Sequence, residues 1–459
     1  MSRSAQASVT RLEEIVGSAH VSTDAAELSL RQADGLRPSA VVRPADAVQV
    51  AEIVHFAAAE QLALIPCGSC TKLGIGSPPT RYEIALDLSR LNRVLAYDPR
   101  DLTLGAEPGV RIADLLRILG EQRQFLPLTI PFSDRATIGG IVGANSISPL
   151  RHAYGGVRDF CLGMEFVTGE GTLAKSGGRV VKNVTGYDLH KLLIGSLGTL
   201  AVITRVNFRT FPLLPAQGAF VASFSDAESA FGFCRAIAHS VLTPQVVEVA
   251  DPGAAHLIFS HDVPARITPQ QWSVVITAAG QPSVVDRHAR ELGHMASAAK
   301  ADEFVPLSDV EQTSVQTRIC EFPRLILEAS PAAAIFRINV LPTAIPSLLG
   351  DLNQLAARNH LDFAAVAPAS GIVYAAFFAE EGNEGSFTVT AGVTGQVFET
   401  CALPEIGARA MLEWCPADVK RAAGSVWGPK RQDFTLMQRV KNVFDSHNIL
   451  SPGRFAGDI

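Results

Sequence analysis

Three glycine-rich segments carry the residue types that could hold a phosphorylated cofactor. The first, PCGSCTKLGIG (residues 66–76), follows a short apolar run. Because glycine has no Cβ, such a loop lets backbone N–H groups approach an anion closely. It is not a Rossmann fingerprint, since no helix follows, and its lysine lacks the preceding glycine spacing of a P-loop. Taken alone, this loop is equally compatible with a tight surface turn.

The second and third segments extend this pattern. TIGGIVGAN (residues 137–145) consists almost entirely of small or β-branched residues, so its backbone is accessible along a continuous stretch. Such a stretch is either a buried strand packed against another backbone or a wall along which an extended cofactor lies. The third segment, GGRVVKNVTGYDL (177–189), continues to GSLGTLAVIT (195–204). The three segments together predict one extended binding surface.

Cys67 and Cys70 form a C-x-x-C, which could be a redox pair. A redox pair of this spacing normally opens a helix, whose N-terminus lowers the thiol pKa. The residues that follow, TKLGIGSPP, cannot form a helix because of their glycines and prolines. No second C-x-x-C completes a zinc or iron–sulfur set, and the histidines lack metal-ligand spacing. We therefore interpret the pair as coincidental and expect no metal site.

Periodicity predicts alternating helices and strands around these segments. A helix over 46–60 begins behind Asp46 as N-cap, strands follow at 62–66, 84–88 and near 102–106, and a second helix covers 111–120. After residue 215 strand–helix–strand units replace the glycine-rich pattern. Their predicted strands are 218–224, 245–250, 273–280, 334–340, 363–368 and 372–378, and their helices are 226–240, 283–296 and 344–358. A last amphipathic helix is expected over 433–447.

Composition limits the class of protein. The 459 residues exceed one ordinary core, and 47% hydrophobic with 18% charged residues is a globular balance. A net charge of −6 argues against a nucleic-acid partner. Charge, Gly or Pro interrupts every apolar stretch, so we expect no transmembrane segment, and the N-terminus lacks a signal-type apolar run. Seven scattered cysteines fit a reducing compartment.

In this order and spacing, the glycine-rich segments resemble the flavin domain of the vanillyl-alcohol-oxidase (PCMH-type) family. The run GGRVVKNVTGYDLHKLLIGSLGTLAVIT and the C-terminal WGPKRQDFTLMQRVKNVFDSHNILSPGR are similar to the E-type FAD-binding subunits of bacterial glycolate oxidase. The resemblance implies an α+β fold with four parts. These are an N-terminal segment (1–36), a PCMH-type FAD-binding domain (37–213), a ferredoxin-like α+β cap domain (214–426) and a C-terminal segment (427–459) that packs on the FAD domain.

The resemblance also implies the cofactor and its ligands. FAD is expected to be non-covalent, because Ser69 and Cys70 stand where some relatives carry a His that attaches the flavin. The first loop would wrap the pyrophosphate, the second segment would follow the ribityl chain and pyrophosphate, and part of the third would close the isoalloxazine pocket. The implied cofactor-binding residues are Gly68, Ser69, Cys70, Thr71, Lys72, Pro108, Thr137, Gly139, Gly140, Gly143, Asn145, Lys182, Gly186, Tyr187, Asp188 and Ile203.

The chemistry implied is oxidation of a small 2-hydroxy acid, such as glycolate or lactate, by hydride transfer to FAD. This reaction needs a base for the hydroxyl proton and a cation for the carboxylate. D-type catalytic relatives carry a G-H-x-G-D-G-N segment in the cap, which this sequence lacks. Two catalytic candidates remain, His152 and Arg337. Arg337 interrupts an apolar strand, so its partner is a substrate carboxylate, a structural acid or a neighbouring subunit.

Two functional hypotheses follow from the resemblance. The chain is an FAD-dependent 2-hydroxy-acid dehydrogenase or oxidase, alone or within a complex. Alternatively, it is a non-catalytic flavin-bearing or architectural subunit that relays electrons beside a D-type flavin subunit and an iron–sulfur subunit. We expect a cytoplasmic protein whose peripheral attachment to the inner membrane would come only through partner subunits.

Overall fold

The computed structural model describes residues 3–179, 186–260, 267–368, 371–379 and 386–459. The first lobe is a small sheet of order β1-β2-β4-β3 in which β2, β4 and β3 are parallel. Asp46 caps the main helix of this lobe, accepting hydrogen bonds from the N–H groups of Val48 and Gln49, each 2.9 Å long. The elements are α1 (Arg3–Val16), β1 (Val21–Ser22), α2 (Ala25–Leu30), β2 (Ala40–Val42), α3 (Ala47–Ala59), β3 (Leu64–Cys67) and β4 (Ile84–Asp87).

The second lobe is an antiparallel sheet of order β5-β6-β10-β8-β9. Its long central strands β8 and β10 pair along most of their length, and the phenylalanines Phe166 and Phe208 lie in the core between sheet and helices. The elements are β5 (Val94–Asp98), β6 (Thr103–Ala106), α4 (Ile112–Glu121), β7 (Gln124–Phe125), α5 (Ile138–Ala144), α6 (Arg151–Tyr154), α7 (Val157–Phe160), β8 (Cys161–Thr168), β9 (Leu173–Gly177), α8 (His190–Leu193), β10 (Ala201–Arg209) and β11 (Phe211–Pro212).

The cap is an eight-stranded sheet of order β15-β12-β14-β13-β17-β18-β16-β19, and all its pairings are antiparallel. Strand side chains alternate between two cores: Val247 and Val249 belong to one, and Ala250 to the other. The second core includes Ile75 and Ala144, so this face of the cap packs on the FAD-binding lobes. The elements are β12 (Ala216–Phe224), α9 (Ala227–Ala238), β13 (Val246–Ala250), α10 (Pro252–Phe259), β14 (Trp272–Gly280), α11 (Pro282–Ala298), β15 (Glu303–Pro306), α12 (Asp309–Cys320), α13 (Phe322–Ala329), β16 (Ala334–Asn339), α14 (Ile345–Arg358), β17 (Asp362–Pro368), β18 (Ile372–Phe378), α15 (Ser386–Ala402), β19 (Arg409–Trp414) and α16 (Ala417–Ala423).

The C-terminal segment returns to the first lobe. After α17 (Phe434–Phe444), the chain runs beside β3, where the Leu64 N–H donates to the Ile449 carbonyl (2.8 Å) and the Ser451 N–H donates to the Leu64 carbonyl (2.9 Å). These bonds extend the edge of the first sheet by one short bridge. They also bring Arg454 next to the loop that follows β3.

The periodicity analysis located most elements correctly. The helices predicted over 46–60 and 111–120 are α3 and α4, and the strand–helix–strand units after residue 215 are the cap. Of the two alternatives for 137–145, the buried strand is wrong, because residues 138–144 form helix α5. Helix α5 can pack closely against Pro108 because residue 139 is a glycine. A Cβ at this position would lie only 2.7 Å from the Pro108 Cβ. Within the described ranges, the helices are too short or too polar to cross a lipid bilayer.

Candidate functional site

A cleft of about 780 Å³, its open mouth included, lies where the two lobes and the C-terminal segment meet. The loop after β3 forms one wall and helix α5 forms another, so the first two glycine-rich segments face one space. Most of the predicted cofactor residues line it: Gly68, Ser69, Cys70, Thr71, Lys72, Pro108, Thr137, Gly139, Gly140, Gly143 and Ile203. The structure therefore brings together residues that lie up to 135 positions apart in the sequence.

The remaining predicted cofactor residues lie elsewhere. Asn145 ends α5 in a left-handed conformation, beside the cleft residue Ala144. Gly186, Tyr187 and Asp188 are exposed, with Tyr187 at 90%, and Asp188 pairs with Lys191 rather than facing the cleft. Lys182 lies outside the described residues.

Two buried cations border the cleft. Burial lowers the pKa of Lys72 to about 8, against the opposing effect of Glu413 and Glu321, and its Nζ donates to the Pro131 carbonyl at 3.4 Å. Arg454 is 2% exposed and donates through Nη2 to the carbonyls of Leu73 (2.7 Å) and Ile75. Its Nε and Nη1 atoms have no partner among the described residues. A buried donor without a hydrogen bond costs folding free energy, so these two atoms of Arg454 are suited to bind a ligand acceptor.

The residues after the loop are also held by a third buried cation, Lys420. Lys420 from α16 donates to the carbonyls of Gly74 and Gly76 and pairs with Asp34 at 2.7 Å. Lys420 and Arg454 together bind the carbonyls of residues 73–76. In the described part of the chain, the backbone N–H groups of Ser69, Cys70 and Thr71 donate to no protein acceptor. The carbonyl groups of residues 73–76 are thus occupied, whereas the N–H groups of Ser69, Cys70 and Thr71 are available.

The two catalytic candidates do not line this cleft. His152 is exposed on the short helix α6, where burial of part of the ring lowers its pKa. Arg337 lies on β16 and pairs through Nε with Glu413 at 3.1 Å, while Nη2 donates to the Met411 sulfur at 3.4 Å. Of the three partners open to Arg337, a structural acid is the one observed. Burial raises the pKa of Glu413, and Arg337 and Lys72 oppose that rise.

A larger cavity of about 1270 Å³ lies between the second lobe and the cap. Its polar lining is neutral apart from Glu321, whose carboxylate accepts from the N–H groups of Phe132 (2.8 Å) and Ser133 (3.2 Å). The described residues that line it include no Lys, Arg or His. A ligand carboxylate would find no positively charged partner there.

Two family matches cover the cleft and the cap. Residues 38–177 match the FAD binding domain, and residues 215–378 and 428–455 match the C-terminal domain of FAD linked oxidases. The chain belongs to the FAD-linked oxidases. FAD is its cofactor and its activity is that of an oxidoreductase. Both conclusions agree with the sequence-based prediction.

This FAD-linked oxidase is 24% identical to glycolate oxidase subunit GlcD of Bacillus subtilis (strain 168) over 427 residues, which cover 92% of this chain and 90% of the relative. It is 36% identical to glycolate oxidase subunit GlcE of Escherichia coli (strain K12) over 162 residues, 35% of this chain and 46% of the relative. The structure resembles p-cresol methylhydroxylase with a TM-score of 0.78 at 14% identity, covering 99% and 97% of the two chains. That likeness confirms the predicted α+β PCMH-type fold.

The cleft of this FAD-linked oxidase fits the flavin dinucleotide chemically. The free N–H groups of the loop and the unpaired donors of Arg454 match the diphosphate oxygens. The Oδ1 atom of Asn145, next to the cleft residue Ala144, is buried without a partner among the described residues. Apolar side chains complete the lining, as ring binding requires: Ile65, Leu88, Pro108, Ile203 and Leu197.

Sequence reasoning missed Arg454 as a site residue. The predicted cofactor residues include none from the motif Ser-Pro-Gly-Arg, whereas the structure places its arginine in the cleft lining. The signal that could have found it is chemical: one cation in the otherwise apolar and small-residue run NILSPGRFAG. Gly198 and Ala201 also line the cleft, as small residues that let the third glycine-rich segment approach it.

Acid or heat should release the flavin of this FAD-linked oxidase into the supernatant. The positions at which a His would attach the flavin are Ser69 and Cys70, and both side chains face the cleft. The measurement is the absorbance spectrum of supernatant and pellet after acid precipitation. Yellow colour retained in the washed pellet would show a covalent bond and contradict the expectation.

Proposed function

We propose that this chain carries FAD in the cleft between its lobes and takes part in the oxidation of a small 2-hydroxy acid, such as glycolate or lactate, as an E-type subunit of a complex. The observation that carries the flavin placement is Arg454, a buried guanidinium beside the cofactor loop. Within the described ranges, two of its donor atoms and the loop's N–H groups have no protein partner. The substrate class is supported by the similarity to glycolate oxidase subunits.

Different residues of the cleft would bind different parts of FAD. The loop from Gly68 to Lys72, with Arg454, would hold the diphosphate; Thr137, Gly139, Gly140 and Gly143 would lie along the extended part of the cofactor. Pro108 and Ile203 would contact the rings, and Asn145 would accept a hydrogen bond. When bound, FAD supplies a two-electron, hydride-type acceptor. Burial lowers the pKa of Lys72 to about 8 against the opposing effect of Glu413 and Glu321, so Lys72 contributes a positive charge below that pH.

The second hypothesis, a flavin subunit that relays electrons while a sister subunit performs the chemistry, is favoured by one specific observation. Among the described residues, the lining of the cap-side cavity offers no cation to a carboxylate, and Arg337 in the cap is already paired with Glu413. The other catalytic candidate, His152, is exposed. Substrate oxidation in a D-type partner is consistent with all three facts.

Partner subunits are also consistent with the apolar surface. Leu436 and Val443 on α17 are 62% and 80% exposed and lie seven residues apart, so they share one helix face. An exposed apolar face of this kind is typical of an interface. The partners we propose are a D-type flavin subunit and an iron–sulfur subunit, and the location we propose is the cytoplasm, with membrane attachment only through those partners.

The isolated chain should reduce an artificial dye with glycolate or D-lactate only feebly, and co-expression with D-type and iron–sulfur subunits should raise turnover by at least about 100-fold. The reason is that the chain supplies a flavin but no carboxylate clamp in its cap cavity. Dye-linked activity per flavin, measured for the chain alone and for the purified complex, checks this. Brisk turnover by the isolated chain would contradict the subunit assignment.

A matched variant separates the two hypotheses within the complex. In Thr277→Val, a cavity-lining hydroxyl without a partner among the described residues is removed with little change in volume. If the chemistry occurs in the partner, the KM for the 2-hydroxy acid should stay the same. A shift in KM with flavin content intact would support substrate binding in this chain.

A further inference from the structure

The C-x-x-C in the cofactor loop places two free thiols in one cleft, which the sequence alone did not indicate. Cys67 ends β3 and is buried; Cys70 follows in the loop, with φ of 62°, and is half-buried. Both side chains line the flavin cleft, and the Cys70 thiol donates to the Gly68 carbonyl at 3.6 Å. The five other cysteines are also free thiols.

The surroundings of the two thiols differ. The neighbouring Cys67 thiol and the guanidinium of Arg31 lower the pKa of Cys70, whereas Cys70 and burial raise the pKa of Cys67. Arg31 donates through Nη2 and Nε to one oxygen of Asp87, at 2.8 and 3.2 Å. Cys70 is the more exposed of the two thiols in the cleft, so an oxidant reaches it first and Cys67 is the resolving thiol.

We propose that Cys67 and Cys70 form a reversible disulfide that controls flavin occupancy of the cleft. This inference rests on the proposed placement of FAD. The oxidant is a peroxide. The Cys70 thiolate attacks one peroxide oxygen and cleaves the O–O bond, giving a sulfenic acid and, from hydrogen peroxide, water after protonation. The Cys67 thiol then attacks the Cys70 sulfur and displaces a second water, so two thiols and one peroxide give one disulfide and two waters. A dithiol reverses the step.

Formation of the bond would reshape the diphosphate-binding loop. An S–S bond is about 2.05 Å long and would join two residues three positions apart in the cleft wall, so the loop between them must adapt to it. Gly68 and Ser69 lie inside the resulting small ring. Gly68 has little room to shift, because a Cβ on it would lie 2.4 Å from the Thr137 hydroxyl. The backbone N–H groups that face the cofactor would be redirected, and flavin affinity would fall.

The experiment compares FAD affinity of the full chain before and after oxidation. Flavin-free protein, fully reduced, is titrated with FAD by fluorescence quenching, then treated with hydrogen peroxide, mapped by peptide mass spectrometry and titrated again. We expect a disulfide between Cys67 and Cys70, an FAD Kd raised by at least about tenfold, and full recovery with dithiothreitol.

Two variants make the result specific. Each is compared with itself, reduced against oxidised, so a change in its starting affinity does not matter. Cys67→Ser should abolish the reversible response, whereas Cys401→Ala, which removes a thiol buried in the cap core, should keep it. Absence of the 67–70 disulfide in the map, or its presence with unchanged FAD affinity, would overturn the proposal. Reduced protein that binds no FAD would instead refute the flavin placement.

Discussion

Arg454→Met should weaken FAD binding by roughly 100-fold or more. The guanidinium is buried, and two of its donor atoms have no partner among the described residues. A hydrogen bond to a charged group is worth about 1.5–3 kcal/mol, so loss of two such bonds to the diphosphate corresponds to at least ~3 kcal/mol. The measurement is the FAD Kd of the flavin-free variant, determined by fluorescence quenching beside the parent protein.

A second buried cation of the C-terminal segment provides the control. The Lys441 Nζ donates to Asp445 (2.6 Å), to the Thr199 carbonyl (2.8 Å) and to the Leu450 carbonyl (3.0 Å), so its three donors are used within the protein. Lys441→Met should lower the melting temperature and leave the FAD Kd of the folded protein nearly unchanged. If Arg454→Met binds FAD as tightly as the parent, Arg454 is a structural residue only.

The fold was largely predictable because its elements repeat a simple period. Apolar residues at helical spacing and Asp46 as a cap located α3, and the apolar runs after residue 215 located the cap strands. Helix α5 was not predictable in the same way. Its sequence, IGGIVGA, contains three glycines and three β-branched residues, all poor helix formers. Its helical conformation depends on tertiary contacts, including the bond from the Gly139 N–H to the Pro108 carbonyl (2.7 Å).

The sequence predicted those parts of the cleft lining that are continuous in sequence. It did not predict single residues that are distant in sequence from the rest of the lining. The loop from Gly68 to Lys72 and the glycines of α5 carry a local signal, since runs of small residues expose backbone. Arg454 enters the cleft through the return of the C-terminal segment to β3, which no local pattern encodes. Tyr187 and Asp188 show the opposite case. They lie in the segment that carries the family resemblance, but their side chains are exposed to solvent, so the resemblance alone did not locate them.

Gly143→Leu should abolish flavin retention while leaving the protein folded. A Cβ at Gly143 would meet no protein atom within 4 Å, so the added side chain has room, and that room is the cleft. Replacing a helical glycine also favours the helix by up to about 1 kcal/mol. Loss of flavin would therefore come from occupation of the cofactor's space. The measurements are the ratio of flavin to protein absorbance after purification and the melting temperature of the flavin-free forms.

The matched control is Gly350→Leu. Gly350 is also a helical glycine with open space at its Cβ, but it lies on the exposed face of α14 in the cap. It should purify with full flavin and a similar or higher melting temperature. A Gly143→Leu protein with full flavin would place the cofactor away from α5. If Gly143→Leu fails to fold while Gly350→Leu folds, the packing of α5 requires a glycine at position 143. Substitutions in α5 could then not be used to locate the cofactor. The flavin placement would then depend on Arg454, whose substitution changes no backbone preference and adds no bulk to the cleft.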